Sequence, residues 1–501
     1  MASGVDTLAA LYGGLLTALS PGNLLACLAG AFLGQLVGIV PGIGPVGGIA
    51  LLLPMIYGQE PVAALIMLAG IYYGAMYGGT VTSVLMKIPG ENSSVLTALE
   101  GYEMARAGRA GAALGIAAFG SFIAGNVGML LLALFIVPLS AVAVGFGSVE
   151  YAALMCFALS AVSVLAAEAA VKGLISAVMG LALATVGLDS GTGALRFTFG
   201  IPELVEGIDF VVVAIGLFAL PELCAIVERR GAGALLERHG YGRLRDLWPS
   251  VADWRRSAWP IARGSLIGFA TGVLPGAGAT IAAFLSYGAE KRLSRRPEAF
   301  GRGAIEGVAG PESANNGAVA GSLVPMLAFG IPGSATTAIL LTGFTIVGIQ
   351  PGPRLFVDHG PVAWALIASM LVGNLILLLL NVPLIGLSVQ LLRLPANVMV
   401  ATVVMVAAVG VFSLRTSLFD LWVLLLSGVV GYVMHKVRMP AAPLLLSLVL
   451  APLFERNLRR SLELGGAPIF LERPVALALL ALSLAIWLWP VVARLLARRA
   501  R

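Results

Sequence analysis

The chain has 501 residues; 59% are hydrophobic and only 11% charged, with 31 Lys+Arg against 25 Asp+Glu and a formal net charge of +6. A soluble domain is typically about 25% charged, and a water-facing surface for a chain of this length cannot be built from so few charges. A soluble globular protein, a disordered chain and a nucleic-acid binder are thereby excluded, and the 63 glycines follow no Gly-X-Y period, which excludes collagen.

What is left is an all-α polytopic membrane protein. The segment 1–21 has no basic stretch ahead of its apolar run, so it reads as a retained N-terminal segment and not as a signal peptide. Apolar stretches follow at 22–57, 61–86, 111–138, 149–166, 173–188 and 208–227. Beyond residue 263 they recur at 264–286, 303–330, 334–350, 361–388, 395–414, 420–435, 440–454 and 475–493. A helix needs roughly 20 apolar residues to cross a bilayer, so the chain holds about 10–12 membrane segments, some short of a full span. Cys27, Cys156 and Cys224 lie apart in apolar surroundings and read as small buried residues. No hydrolase or NTPase motif occurs, and the expectation is a protein that is not an enzyme and has no cofactor.

The stretch 228–263 is the longest polar one, with eight arginines against four acidic residues. By the positive-inside rule it is a cytoplasmic linker. The tail, with Arg494, Arg498, Arg499 and Arg501, has the same sign, as does the cluster Lys291, Arg292, Arg295, Arg296 and Arg302. If both flanks of 264–286 lie inside, that stretch must enter and leave by one face. Its 23 residues are too few to cross twice at 1.5 Å per residue. Its middle, Pro275-Gly276-Ala277-Gly278-Ala279, fits a re-entrant hairpin.

The same punctuation occurs earlier. Pro41-Gly42-Ile43-Gly44-Pro45 matches Pro275 to Ala279 at an offset of 234 positions, and Ile88-Pro89-Gly90 matches Ile331-Pro332-Gly333 at 243. Gly125-Asn126 matches Gly373-Asn374 at 248. The matches keep their order while the offset drifts slowly, which points to an internal duplication. The expected division is an N-terminal segment 1–21, repeats 22–227 and 264–455 around the linker 228–263, and a C-terminal span and tail 456–501. Each repeat holds two Gly/Pro-broken apolar segments, the sequence mark of a transporter's midplane site. An inverted relation between the repeats is the expectation.

Polar residues cluster at these breaks: Thr80, Thr82, Ser83 and Gly90-Glu91-Asn92-Ser93-Ser94 in the first repeat, Glu312, Asn315, Asn316 and Gly333-Ser334-Ala335-Thr336-Thr337 in the second. A helix starting after PGxG or IPG aims free N–H groups at the break, which suits an anion such as a carboxylate. The expected substrate-binding set is Gly42, Gly44, Gly90, Asn92, Ser93, Ser94, Gly276, Gly278, Asn315, Asn316, Gly333, Ser334, Thr336 and Thr337. A coupling cation, Na⁺ or H⁺, is expected near Pro41, Thr80, Asn92, Pro275, Asn316 and Pro332. Glu91 and Glu312 read equally as proton carriers or as solvated loop residues. Gly30, Gly34 and Gly38 read as a helix-packing stripe.

Together PGIGP at 41–45, GTVTSVLMKIPGENSS at 79–94, PGAGAT at 275–280, GPESANNG at 310–317 and GIPGSATTAILL at 330–341 resemble the large membrane subunit of the tripartite tricarboxylate transporters. The resemblance covers about residues 7–460. It implies a bacterial inner-membrane secondary carrier for citrate or related carboxylates, driven by Na⁺ or H⁺. The implied partners are a small four-span membrane subunit and a periplasmic solute-binding protein, and the implied motion is elevator-like. Two other readings stay open: a passive anion channel, and a carrier working without a binding protein.

Overall fold

The computed structural model describes residues 4–40, 43–165, 170–189, 191–228, 247–276, 278–391 and 395–499. The first half runs α1 (Gly4–Ala18), α2 (Pro21–Ile39), α3 (Gly44–Leu52), α4 (Pro61–Met86), α5 (Val95–Arg106), α6 (Ala110–Val144), α7 (Ser148–Leu165), α8 (Ala170–Ala184) and α9 (Phe210–Glu228). The second runs α10 (Val251–Gly272), α11 (Gly278–Leu293), α12 (Glu306–Phe329), α13 (Ala335–Ile346), a one-turn α14 (Leu355–Asp358), α15 (Gly360–Leu391), α16 (Ala396–Arg415), α17 (Leu418–Lys436) and α18 (Ala442–Gly465). A one-turn α19 (Ile469–Glu472) and α20 (Pro474–Arg499) close the chain. Among the described residues the only strands are the two-residue β1 (Gly187–Leu188) and β2 (Leu195–Arg196), paired antiparallel. Six helices are long and apolar enough to cross a membrane by length and composition: Pro21–Ile39, Pro61–Met86, Ala110–Val144, Gly360–Asn381, Asn397–Arg415 and Leu418–Lys436. Shorter apolar helices of 10–17 residues accompany them, in keeping with a polytopic membrane protein.

α4 and α12 form the centre, buried on every side. A helix enclosed all round belongs to a core, and glycine lets neighbouring backbones approach it closely. Gly30, Gly34 and Gly38 of α2 face the carbonyls of Met67, Ile71 and Ala75 of α4; a Cβ at each would lie 2.2, 2.4 and 2.2 Å from the carbonyl oxygen. Gly264, Gly268 and Gly272 of α10 face the carbonyls of Gly310, Ala314 and Ala318 of α12 at 2.4, 2.2 and 2.4 Å by the same measure. The two stripes are 234 positions apart and their partners 243 apart, the offsets of the PGxG and IPG motifs.

Backbone conformations recur at the same offsets. Gly44 and Gly278 open their helices with φ +58° each. Lys87 and Gly330 end α4 and α12 in the left-handed region, at φ 57° and 71°. Glu91 and Ser334, each the residue just after its IPG, have φ −152°, ψ 168° and φ −151°, ψ 168°.

The stretch expected to be linker as far as residue 263 ends sooner. α10 begins at Val251 because Ser250 and Asp253 cap it reciprocally: Asp253 N–H donates to Ser250 Oγ (3.2 Å) and Ser250 N–H to Asp253 Oδ2 (3.1 Å). Two of the arginines counted as topological charge are ion-paired within the fold. Arg256 donates through two nitrogens to Glu306 (2.8 Å each), and Arg263 does so to the buried Glu290 (2.8 and 2.5 Å), tying the arms of the α10–α11 hairpin together. Residues 229–246 of the expected linker lie outside the described residues. Of the three cysteines only Cys27 is buried, its sulfur 3.5 Å from the Tyr73 hydroxyl; Cys156 is half-buried and Cys224 exposed.

Away from the centre, Arg459 bridges Asp189 (2.9 Å) and Glu455 (2.6 Å) and pins the β1–β2 loop to α18. The Gly191 backbone N–H, with the Arg459 guanidinium, holds the Asp189 carboxyl well below the usual carboxylate range.

Glu100, fully buried on α5, accepts from Tyr287 Oη (2.7 Å) and from the backbone N–H groups of Gly301, Gly303 (2.8 Å) and Ala304 (2.9 Å). It clamps α5 to the turn that enters α12. Glu100→Ala orphans those three N–H groups, at about 1–3 kcal/mol for each buried donor left unmade. The expected result is a clearly lower melting temperature of the detergent-solubilised protein; an unchanged melting temperature would mean that the clamp contributes nothing.

Candidate functional site

Each long central helix stops because its sequence cannot continue it. Residues preceding proline are steered away from helical ψ, so α4 ends before Ile88-Pro89 and α12 before Ile331-Pro332. Gly90 and Gly333 then let the chain double back against its own helix. A Cβ at Gly90 would lie 2.2 Å from Gly79 Cα, and one at Gly333 2.7 Å from the Ser322 carbonyl oxygen. The following helix is capped alike in both halves: Glu91 N–H donates to Ser94 Oγ (3.2 Å), and Ser334 N–H to Thr337 Oγ1 (2.8 Å).

The PGxG breaks lie against the IPG breaks. Gly276 N–H donates to the Gly333 carbonyl at 2.9 Å. Gly276 has φ +82°, and a Cβ there would lie 2.4 Å from Val162 Cα, so only glycine fits. In the first half a Cβ at Gly44 would lie 3.6 Å from Glu91 Cβ. The halves also cross over: α11 packs on the turn at 92–94, and α3 packs on α13.

Two carboxylates occupy this junction. Glu312, 1% exposed, accepts from Thr80 Oγ1 (3.1 Å) on α4 and Thr97 Oγ1 (2.5 Å) on α5. Glu91, half-buried, accepts from Ser93 Oγ and from Asn315 Nδ2 (2.9 Å). The two are near enough for their charges to interact. Asn315 Oδ1 is buried and has no hydrogen-bond partner among the described residues.

The expected site residues fare unequally. Pro41 and Gly42 lie outside the described residues. Gly44, Gly90, Gly276, Gly278 and Gly333 sit at the breaks, with Pro275 and Pro332 buried beside them. Asn92 is exposed, and Ser94 Oγ accepts from Ser83 Oγ at 3.0 Å. Asn316 turns toward α6, donating to Ser121 Oγ (2.7 Å) and to the Glu312 carbonyl (3.1 Å). Ser334 Oγ accepts the Thr337 N–H at 3.2 Å, and Thr336 is buried in the first turn of α13.

Three neighbours escaped the sequence reading. The Tyr72 hydroxyl meets Ser322 Oγ at 3.3 Å and faces Ser334 and Thr336; Thr97 and Ser121 complete the polar shell. Tyr72, Tyr73 and Tyr77 on one apolar helix are a legible signal, since buried phenols seek partners. Single hydroxyls such as Thr97 and Ser121 carry none. A cavity of about 620 Å³ lies elsewhere, lined by Tyr151, Gln350, Arg354, Asp358 and His359 among others, none of them a break residue.

The chain is 45% identical over 483 residues, 96% of this chain and 95% of the relative, to an uncharacterized 52.8 kDa protein in the TAR-I ttuC′ 3′ region of Agrobacterium vitis. It is 45% identical over 223 residues, 44% of this chain and 90% of the relative, to an uncharacterized protein in the TAR-II ttuC′ 3′ region of the same organism. No solved structure matches it. The family model described as the tripartite tricarboxylate transporter TctA family matches residues 24–446, most of the chain and all four breaks, and the protein belongs to that family.

Proposed function

We propose that the chain is the large membrane subunit of a binding-protein-dependent secondary carrier that brings citrate or a related carboxylate into the cell together with Na⁺ or H⁺. The observation that carries this is the meeting of interrupted helices from both halves around buried polar side chains. Irregular backbone inside a membrane is tolerated only where protein or water covers it, and this is the arrangement carriers use at the midplane. Family membership supports a small membrane subunit and a solute-binding protein as partners.

The recurrence of glycine contacts, caps and dihedrals at offsets of 234 and 243 supports an internal duplication. Contacts also exchange between halves: Asn315 reaches Glu91 as Tyr72 faces Ser334, and both pairs are related by 243 positions. A pseudo-two-fold axis produces that exchange. With the basic linker and the tail in the cytoplasm, the axis lies in the membrane plane and the repeats are inverted, the symmetry that an elevator-like movement uses.

Within the site the two IPG breaks differ in charge. The α5 break already carries Glu91, whereas the α13 break is capped by neutral Ser334. A substrate carboxylate therefore goes to the α13 side, where Ser334, Thr336, Thr337 and the helix N-terminus supply neutral donors.

In proteoliposomes holding the chain with its companion subunit, uptake of labelled carboxylates is expected to need both a cation gradient and the binding protein. Uptake that persists with the gradient collapsed would instead indicate a passive channel. A cysteine at position 240 is expected to react only from the cytoplasmic side; periplasmic reactivity would reverse the topology.

A further inference from the structure

The first-half break has a donor set that its counterpart lacks. Glu91 and Glu312 meet hydroxyl and amide donors only. Lys87, the nearest cation in sequence, turns away to Glu103 at 3.1 Å. No ion pair involves either carboxylate among the described residues. A buried carboxylate without a counter-charge is costly, because the charge leaves water with no opposite charge to meet it. Hydroxyl donors offset only part of that.

The independent observation is Asn315. Its Nδ2 is committed to Glu91, which fixes the amide, while Oδ1, on a residue 1% exposed, has no donor. A side-chain carbonyl held beside a carboxylate, with no N–H or O–H to meet it, is arranged as a ligand for a cation. Ser93 Oγ lies on the same carboxylate, and Glu312 is one turn before Asn315 on α12. All these donors are oxygens. Among the described residues no group of three or more His, Cys, Asp or Glu is placed to hold a metal ion. Hydroxyl, amide and carboxylate oxygens suit a hard cation, and so small a charge count suits a monovalent one.

We infer that Glu91, Ser93 and Asn315 bind a monovalent hard cation of the sodium class at the first-half break, with Glu312 supplying the second negative charge. This rests on the carrier reading above and assigns its coupling ion to one half alone. At the matched positions of the other half stand Ser334 and Tyr72, with Ala69 in place of Glu312, so that half contributes no acidic residue of its own at these positions. Cation and substrate carboxylate thus take opposite breaks, and the bound cation offsets the charge that Glu91 would otherwise present to an incoming anion.

The test is thermal unfolding of the full-length protein, purified with its companion subunit, while NaCl replaces choline chloride at constant ionic strength. The melting temperature of the wild type is expected to rise with Na⁺ and not with equal K⁺. Glu91→Gln and Asn315→Leu are expected to raise the half-saturating Na⁺ concentration at least tenfold. Because either disruptive variant risks misfolding, only preparations whose melting temperature in choline matches the wild type are compared; if neither qualifies, Ser93→Ala replaces them, with a threefold or larger shift expected. Unchanged half-saturation in the variants, or wild-type stability that follows pH and ignores Na⁺, would overturn the assignment. Carboxylate uptake is measured on the same preparations. Uptake intact with the sodium response unmoved refutes this site and leaves the carrier standing, whereas wild type that takes up no carboxylate refutes the carrier reading itself.

Discussion

Glu312→Ala is expected to lower carboxylate uptake at least tenfold, equivalent to about 1.4 kcal/mol. Glu312 is the point at which α12 grips the other half: its two oxygens take the hydroxyls of Thr80 on α4 and Thr97 on α5. Alanine leaves both donors buried and unmade, at about 1–3 kcal/mol each, and removes a negative charge from the junction. Glu312→Gln separates the two contributions. It keeps one acceptor and much of the packing, so the protein is expected to reach the membrane in wild-type amounts while uptake still falls. Wild-type uptake by the glutamine variant would mean that the charge is dispensable and that Glu312 serves packing alone.

Gly34→Val and Gly268→Val are expected to prevent accumulation of folded protein altogether. A Cβ at these positions would lie 2.4 Å from the Ile71 carbonyl oxygen and 2.2 Å from that of Ala314, and both obstacles are backbone of the central helices. Overpacking a flexible core costs about 1–3 kcal/mol, and here neither helix can move without parting α2 from α4 or α10 from α12. The contrast is Gly288→Ala on α11, where nothing lies within 4 Å. That change is expected to be neutral or stabilising by up to about 1 kcal/mol, because alanine favours a helix. Size-exclusion chromatography of the solubilised proteins distinguishes the cases. A monodisperse Gly268→Val protein would show that the stripe is not a close contact.

Much of this is legible in the sequence, because proline and glycine act locally. Pro89 and Pro332 stop helices wherever they stand, and Gly44 and Gly278 mark positive φ, so the breaks and their pairing followed from residue type and order. The stripe Gly30, Gly34, Gly38 was legible for the same reason: a four-residue period of the smallest side chain has one use on a helix face. Contacts between distant segments were not legible. No local rule joins Asn315 to Glu91, 224 positions away, or Glu312 to Thr80, 232 away. Asn315 and Asn316 look alike in sequence, yet one reaches the break and the other turns to Ser121, since adjacent residues on a helix point about 100° apart. The start of α10 is not legible from charge alone, because the arginine count marks 228–263 as linker while the acidic partners of Arg256 and Arg263 lie 50 and 27 residues further on.

The central claim is that broken helices from both halves enclose one water-accessible site where the substrate binds. Asn92 tests it most directly, being exposed on the turn that follows Glu91 and making no side-chain hydrogen bond among the described residues. In a chain whose three native cysteines are replaced, Asn92→Cys is to be treated with a charged, membrane-impermeant thiol reagent, with and without a carboxylate mixture plus Na⁺. Ready labelling that slows when carboxylate and cation are both present is the expected result. A thiol that stays unreactive from both sides of the membrane, or whose labelling ignores the ligands, would place this break against lipid and contradict the shared site.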